Sequence, residues 1–135
     1  MTRAERVVDA SVLGAFFFKE DRFSEARSLI ESADLVAPAH VLAELTSIGA
    51  KKVWLGHADA DTAASALKTT VEVLKDVVDL EGLVPAALRM AVEHRFSAYD
   101  ALYLALAAVR EIRVITFDGR LIRAARTAGL SHLVA

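Results

Sequence analysis

The 135 residues amount to one domain, and a 55% hydrophobic content with a net charge of −2 excludes a disordered chain. The absence of cysteine excludes disulfides and thiolate metal sites, which fits a reducing cytoplasm. The near-neutral balance argues against holding nucleic acid by bulk positive charge, though acids that bind metal would lower the net charge of a nuclease. Thr2 to Arg6 is polar and Asp9 breaks the apolar run that follows, so no secretory leader is expected. The apolar runs are too short and interrupted to cross a membrane.

Arg6-Val7-Val8-Asp9 reads as a short buried strand, followed by a helix from Ser11 to Lys19. Asp9 thus stands where a strand becomes a helix, the edge of an α/β sheet where sites gather. Glu20-Asp21-Arg22 is a polar break. Ser24 to Ser32 is an amphipathic helix, and Leu35-Val36-Ala37 is a strand closed by Pro38. A helix from about Ala39 to Trp54 carries Val41, Leu45 and Ile48 as its apolar stripe, with Glu44 on the same stripe. Gly56-His57 marks a turn before a helix from Ala58 to Lys75. Asp76 to Leu80 reads as a strand, and Gly82 to His94 as a helix with Pro85 in its first turn. The stretch Phe96 to Val109 is Ala- and Leu-rich without Gly or Pro, and Ser97 is placed to cap its start. It is apolar almost all round and should be buried, yet it carries Asp100. Arg113 to Phe117 is a β-branched strand ending at Asp118-Gly119. Leu121 to Ala128 is a last helix, and His132-Leu133-Val134 an edge strand. Strands alternate with helices over residues 1–135, which predicts a single domain: a three-layer α/β/α sandwich with a mainly parallel sheet.

Four carboxylates share one peculiarity: each is isolated. Asp100 is the only formal charge from Phe96 to Val109, and Asp9 the only one between Val7 and Phe18. Glu44 is the only carboxylate between Leu35 and Ala50, and Asp118 directly follows a strand. A sheet that brings them to one edge would set them against each other and raise their pKa values. A divalent cation removes that conflict, and all-oxygen ligation favours Mg²⁺ or Mn²⁺. Such ions suit phosphodiester hydrolysis.

Val8-Asp9-Ala10-Ser11-Val12, Pro38 followed by Val41 to Leu45, Ser97 to Ala107, and Ile115 to Leu121 together resemble the PIN domain. Length and motif order resemble the small VapC-type toxins of toxin–antitoxin pairs. The resemblance implies a Mg²⁺- or Mn²⁺-dependent endoribonuclease that cuts single-stranded regions of RNA. It makes Asp9, Glu44, Asp100 and Asp118 both the catalytic acids and the metal ligands, with Ser11 and Thr116 supporting the site. It further implies a cytoplasmic homodimer silenced by a small antitoxin whose segment enters the acidic cleft. The helices from about Gly56 to Arg95 carry no diagnostic motif and are where substrate and partner choice would reside.

Each residue also has a plainer reading. Asp9 can cap the helix after it. Glu44 can pair with His40 or Lys51. Asp118 in Asp-Gly can be a turn residue. Asp100 is harder to explain, since its own helix offers no close cation. Lys51, Lys52, Arg95 and Arg120 are the substrate-contact candidates, Arg120 first because it follows Asp118 by two; solvated surface charge is the competing reading for each. Trp54, Tyr99 and Tyr103 can stack on bases, but core packing suits both tyrosines better. His40, His57, His94 and His132 read as surface or cap residues, with His40 at the cleft rim. A receiver domain would fit Asp79 and Thr116, but it needs a carboxylate pair after the first strand and a late Lys, and the chain has neither. An Asp-nucleophile phosphatase needs a second Asp where Ser11 stands. The remaining alternatives keep the fold: a housekeeping RNA-processing nuclease, or a module that binds RNA or protein without cutting.

Overall fold

Strand β1 (Ala4–Val8) lies inside a four-stranded sheet ordered β3-β2-β1-β4, with every neighbouring pair parallel. The computed structural model describes residues 3–135, so Thr2, part of the leader reading, lies outside the described residues. The other strands are β2 (Ala33–Pro38), β3 (Asp76–Val78) and β4 (Arg113–Ile115). The helices are α1 (Ala10–Phe17), α2 (Phe23–Glu31), α3 (Val41–Trp54), α4 (Ala60–Val73), α5 (Val84–His94), α6 (Ala98–Arg110) and α7 (Gly119–Thr127). The chain is the expected α/β sandwich with a parallel sheet flanked by helices.

The strand order explains the layers. From β1 to β2 to β3 the chain steps in one direction, and right-handed crossovers put the connecting helices on one face. There α1 packs on α2, α3 and α4. The step from β3 back past β1 to β4 reverses direction and sends α5 and α6 to the other face, where α6 crosses β1, β2 and β4. Val7, Val8, Leu35 and Val36 from the strands meet Leu13 and Leu45 from the first layer and Leu104 and Leu106 from the second, all essentially buried. Parallel strands covered on both faces need such apolar runs.

The middle of α6, Asp100 through Ala107, is buried as its composition predicts, but its ends are not: Ala98, Tyr99, Ala108 and Val109 are exposed. Ser97 caps it, its Oγ accepting from Asp100 N at 3.1 Å. Pro85 occupies the first turn of α5, where no N–H is required of it. Most element ends shift by one or two residues from the sequence reading, β3 for instance stopping at Val78 rather than Leu80, and two differences are informative. β4 stops at Ile115 rather than Phe117, for a reason that lies in the site below. The segment 132–134 is not an edge strand: Ser131–Leu133 is a 3-10 turn, and only Val134 bridges Val114. The left-handed turn at Gly129 (φ 73°) brings the chain back too late for a ladder to form.

Candidate active site

The strand order reverses between β1 and β4, which opens a crevice beyond their carboxyl ends. Asp9 follows β1 directly, in extended conformation (φ −99°, ψ 175°), and caps α1: its Oδ1 accepts from Ser11 N at 3.1 Å and Val12 N at 3.3 Å. The plain capping reading is therefore correct as geometry, but incomplete. Oδ1 also takes the Ser11 hydroxyl at 2.6 Å, and Oδ2 takes the hydroxyl of Thr116. Each hydroxyl has one proton, and both go to Asp9. Their oxygens are then free to accept, Ser11 Oγ from Phe117 N at 2.8 Å and Thr116 Oγ1 from Asp118 N at 2.9 Å. These side-chain acceptors replace the sheet ladder for Phe117 and Asp118, which is why β4 ends at Ile115. Burial pushes the Asp9 carboxyl up to about 6, against four hydrogen bonds that favour the anion; the Asp118 charge adds to the rise. Ser11→Ala should lower stability by about 1–2 kcal/mol, because it orphans Phe117 N–H. It should also push Asp9 higher, read by denaturant melting and a carboxyl titration.

Glu44 lies in the first turn of α3, just beyond β2. Tyr103 of α6, 2% exposed, donates its hydroxyl to Glu44 Oε1 at 2.6 Å. His40 Nε2 also lies 3.4 Å from that oxygen. This is not an ion pair, since burial lowers the His40 pKa and keeps the ring neutral, with Nε2 set 3.1 Å from the Tyr99 carbonyl. His40 is thus buried between Tyr99 and Tyr103, not a surface residue. Glu44 is pushed up chiefly by burial, then by Asp100 and Asp118, against the Tyr103 hydrogen bond and the Arg120 charge.

Asp100 is 4% exposed, and its Oδ2 is buried without a hydrogen bond. Among the described residues its one ion-pair partner comes from another helix: Arg120 Nε of α7 stands 3.5 Å from Oδ2, an ion-pair approach without hydrogen-bond geometry. The same guanidinium reaches Asp118 Oδ2 at 3.5 Å through Nη2, while its side chain remains 68% exposed. Asp118 caps α7, its Oδ1 accepting from Arg120 N at 2.9 Å, so turn and site readings coincide there. Burial raises the Asp100 pKa; Arg120 opposes this and Asp118 adds to it.

The opposite edge of the sheet shows what structural acids look like in this chain. Glu5, Asp34 and Asp76 are held by Arg3, Lys75 and Arg110, with Arg110 bridging Glu5 at 3.1 Å and Asp76 at 2.6 Å. At the carboxyl edge one exposed arginine reaches Asp100 and Asp118 and lends its charge to Glu44, and among the described residues Asp9 has no cation. Uncompensated carboxylates gathered in a crevice are a signature of function. Their donor set is all oxygen and includes the orphaned Asp100 Oδ2, the ligand chemistry that a hard divalent cation takes. Among the described residues no three such side chains converge on a point as they stand, and Arg120 supplies the positive charge instead. Arg120→Ala should cost the metal-free protein no more than about 1 kcal/mol, given its exposure. It should enlarge the Mn²⁺-induced rise in melting temperature, because the added cation then relieves more repulsion.

The family profile for the PIN domain matches residues 6–127, nearly the whole chain. The chain belongs to the PIN domain family. The crystal structure of PAE2754 from Pyrobaculum aerophilum is similar to it, with a TM-score of 0.69 and 27% identity over 92% of this chain and 87% of that one. No curated protein matches. PIN domains are generally nucleases that use divalent metal ions.

In this PIN domain the remaining sequence candidates separate. Lys52 lines a cavity beside Ser11, while Lys51 and Arg95 are exposed and touch none of the four acids among the described residues. Lys51 is therefore not the partner of Glu44. Tyr99 is 62% exposed and does not pack in the core; it sits in the first turn of α6, beyond the sheet. Trp54 is 78% exposed at the end of α3. His57 and His132 are exposed, as expected. Tyr103 packs in the core as expected, but its contact with Glu44 was missed. A buried tyrosine hydroxyl needs an acceptor, and that need was the available signal.

Proposed function

We propose that this PIN domain is a Mg²⁺- or Mn²⁺-dependent endoribonuclease acting on single-stranded regions of RNA. One observation supports this above all: the acids of the amino edge are held by three basic side chains, whereas among the described residues of the carboxyl edge only the exposed Arg120 approaches Asp100 and Asp118. Asp9, Glu44, Asp100 and Asp118 would hold the cation. Once bound, it would lower the pKa of a water and stabilise charge on the phosphoryl oxygens. Ser11 and Thr116 orient the Asp9 carboxyl and offset part of the cost of charging it there. Glu44 has Oε1 held by Tyr103, and its Oε2 is suited to take a proton from the attacking water. Arg120, exposed and flexible in reach, would leave the acids and meet the substrate phosphate.

The finer reading is a toxin of the VapC type: a cytoplasmic homodimer inhibited by a small antitoxin. Its support is the order of the four motifs and the length of the chain. Purified protein should cut single-stranded RNA in Mn²⁺, not in EDTA, and Asp9→Asn should not cut. An upstream short reading frame, whose loss makes expression arrest growth, separates a toxin from a housekeeping nuclease. Growth unaffected by the chain alone would overturn the toxin reading and leave the nuclease standing.

A further inference from the structure

A cavity of about 470 Å³ opens beside the acids, between the α1–α2 corner and α3. Ser11 and Phe117 form its inner wall, and both belong to the network around Asp9. Lys19, Arg22 and Lys52 line the rest of it together with the carboxylates Glu20 and Asp21. The corner that carries them is firmly built. Phe23 stacks on Phe16 at 5.1 Å, Phe16 meets Phe17 edge-on, and Glu20 N bonds Ala15 O at 2.9 Å.

Arg22 is the unusual member. Its guanidinium lies over the Phe117 ring, 3.7 Å from the ring centre. Glu25 grips it edge-on through two bonds, Nε to Oε2 at 3.0 Å and Nη2 to Oε1 at 2.7 Å. One face is therefore backed by an aromatic ring, and the charge is largely neutralised by a carboxylate. The second face remains, on a side chain 49% exposed at the cavity. A phosphate gains little from an arginine already paired with Glu25. A flat ring gains a rigid plane whose ordering has already occurred. Lys52 is likewise engaged, 3.6 Å from Glu20. Lys19 has no ion-pair partner among the described residues and stands at the rim, where a phosphate would pass.

We propose that this cavity is a nucleobase subsite, in which a base next to the reacting phosphate stacks on Arg22 where it lies over Phe117. The proposal rests on the ribonuclease reading and names how that enzyme would hold its substrate. The volume admits a single nucleotide. The position follows from Ser11, which is at once a wall of the cavity and a hydrogen-bond donor to Asp9. The sequence reading took Glu20-Asp21-Arg22 only as a polar break. No local pattern reveals that Phe117, far along the chain, lies under Arg22.

The test is the binding of a fluorescein-labelled single-stranded adenylate of about ten nucleotides, followed by anisotropy. Every protein carries Asp100→Asn, so that the probe stays intact. Arg22→Ala should weaken binding about tenfold, the usual effect of removing one stacking partner. Arg22→Lys should weaken it nearly as much, because it keeps the charge and loses the plane. A fully abasic probe of the same length should bind all three proteins alike. Melting curves check that the Arg22 variants fold. Tight binding by Arg22→Lys would show a point charge at work and overturn the proposal, as would unchanged binding by Arg22→Ala. If these variants bind normally while the parent chain cuts RNA in Mn²⁺, the subsite falls alone. If the Asp100→Asn protein binds no RNA and the parent chain cuts none, the subsite and the ribonuclease reading fall together.

Discussion

Asp100→Asn should abolish RNA cleavage, by about 10²–10³-fold or more, while the metal-free protein melts no lower than its parent. Both halves follow from one geometry. Asp100 is buried at the start of α6, its Oδ2 unbonded, with Asp118 and Glu44 adding to the difficulty of charging it. Asparagine keeps the shape and the Ser97 cap on the backbone N–H of residue 100, and its amide oxygen can still accept from the Ser97 hydroxyl, which otherwise favours the Asp100 anion. It removes a buried charge whose only partner is an exposed arginine at 3.5 Å. In an ordinary structural ion pair, deletion of one partner lowers stability. Here stability should hold or rise while activity disappears, and that opposition distinguishes a functional carboxylate from a structural one. Thermal melting in EDTA and a cleavage assay in Mn²⁺ read the two halves. Metal-dependent cleavage retained by the variant would sink the site assignment. A large drop in melting temperature would instead mean that Arg120 and Asp100 form a pair that holds α7 on α6.

The fold and the four acids were legible because each depends on short-range pattern. Short segments centred on valine or isoleucine mark the strands, and their alternation with helices points to a parallel sheet. An isolated acid on an apolar face stands out against its own neighbours, as Asp100 does between Phe96 and Val109. What stayed hidden involves elements meeting across the sheet. Arg120 approaches Asp100 only because α7 docks on α6, and no helix periodicity reports that. Tyr99 and Tyr103 are four apart and should share a face. The first turn of α6 overhangs the sheet, so one is exposed and the other buried. His40 looked like a surface residue because it follows Pro38 and Ala39. It is covered by the same two tyrosines, which arrive from residues far along the chain. The 132–134 segment had strand composition but no room to pair beyond Val134.

The metal-free protein should lose site stability as pH rises from about 4 to about 6, and Mn²⁺ should restore it most at the upper end. The sign comes from Asp9. Its carboxyl titrates near 3.8 when the chain is unfolded and is pushed up to about 6 by burial in the folded protein. The folded state therefore keeps a proton that the unfolded state has given up. Its contribution to stability is fully present below 3.8 and is lost as pH climbs through 6. At neutral pH the buried anion costs roughly 3 kcal/mol relative to its protonated form. Glu44 and Asp100 are shifted the same way and steepen the decline. Glu25 and Asp59, whose pKa values are lowered by Arg22 and by Thr62 respectively, oppose it, so the comparison must isolate the site. Subtracting the pH–stability curve of Asp9→Asn from that of the parent does so. The difference should fall with pH across that window. A cation binds the deprotonated acids in competition with protons, so its effect grows as pH rises. At a hundredfold excess over its dissociation constant it adds about 2.7 kcal/mol. A parent-minus-variant difference that rises with pH would mean that the hydrogen bonds from Ser11 and Thr116 outweigh burial at Asp9. The crevice would then hold its charge without strain, and the case for a cation there would lose its energetic basis.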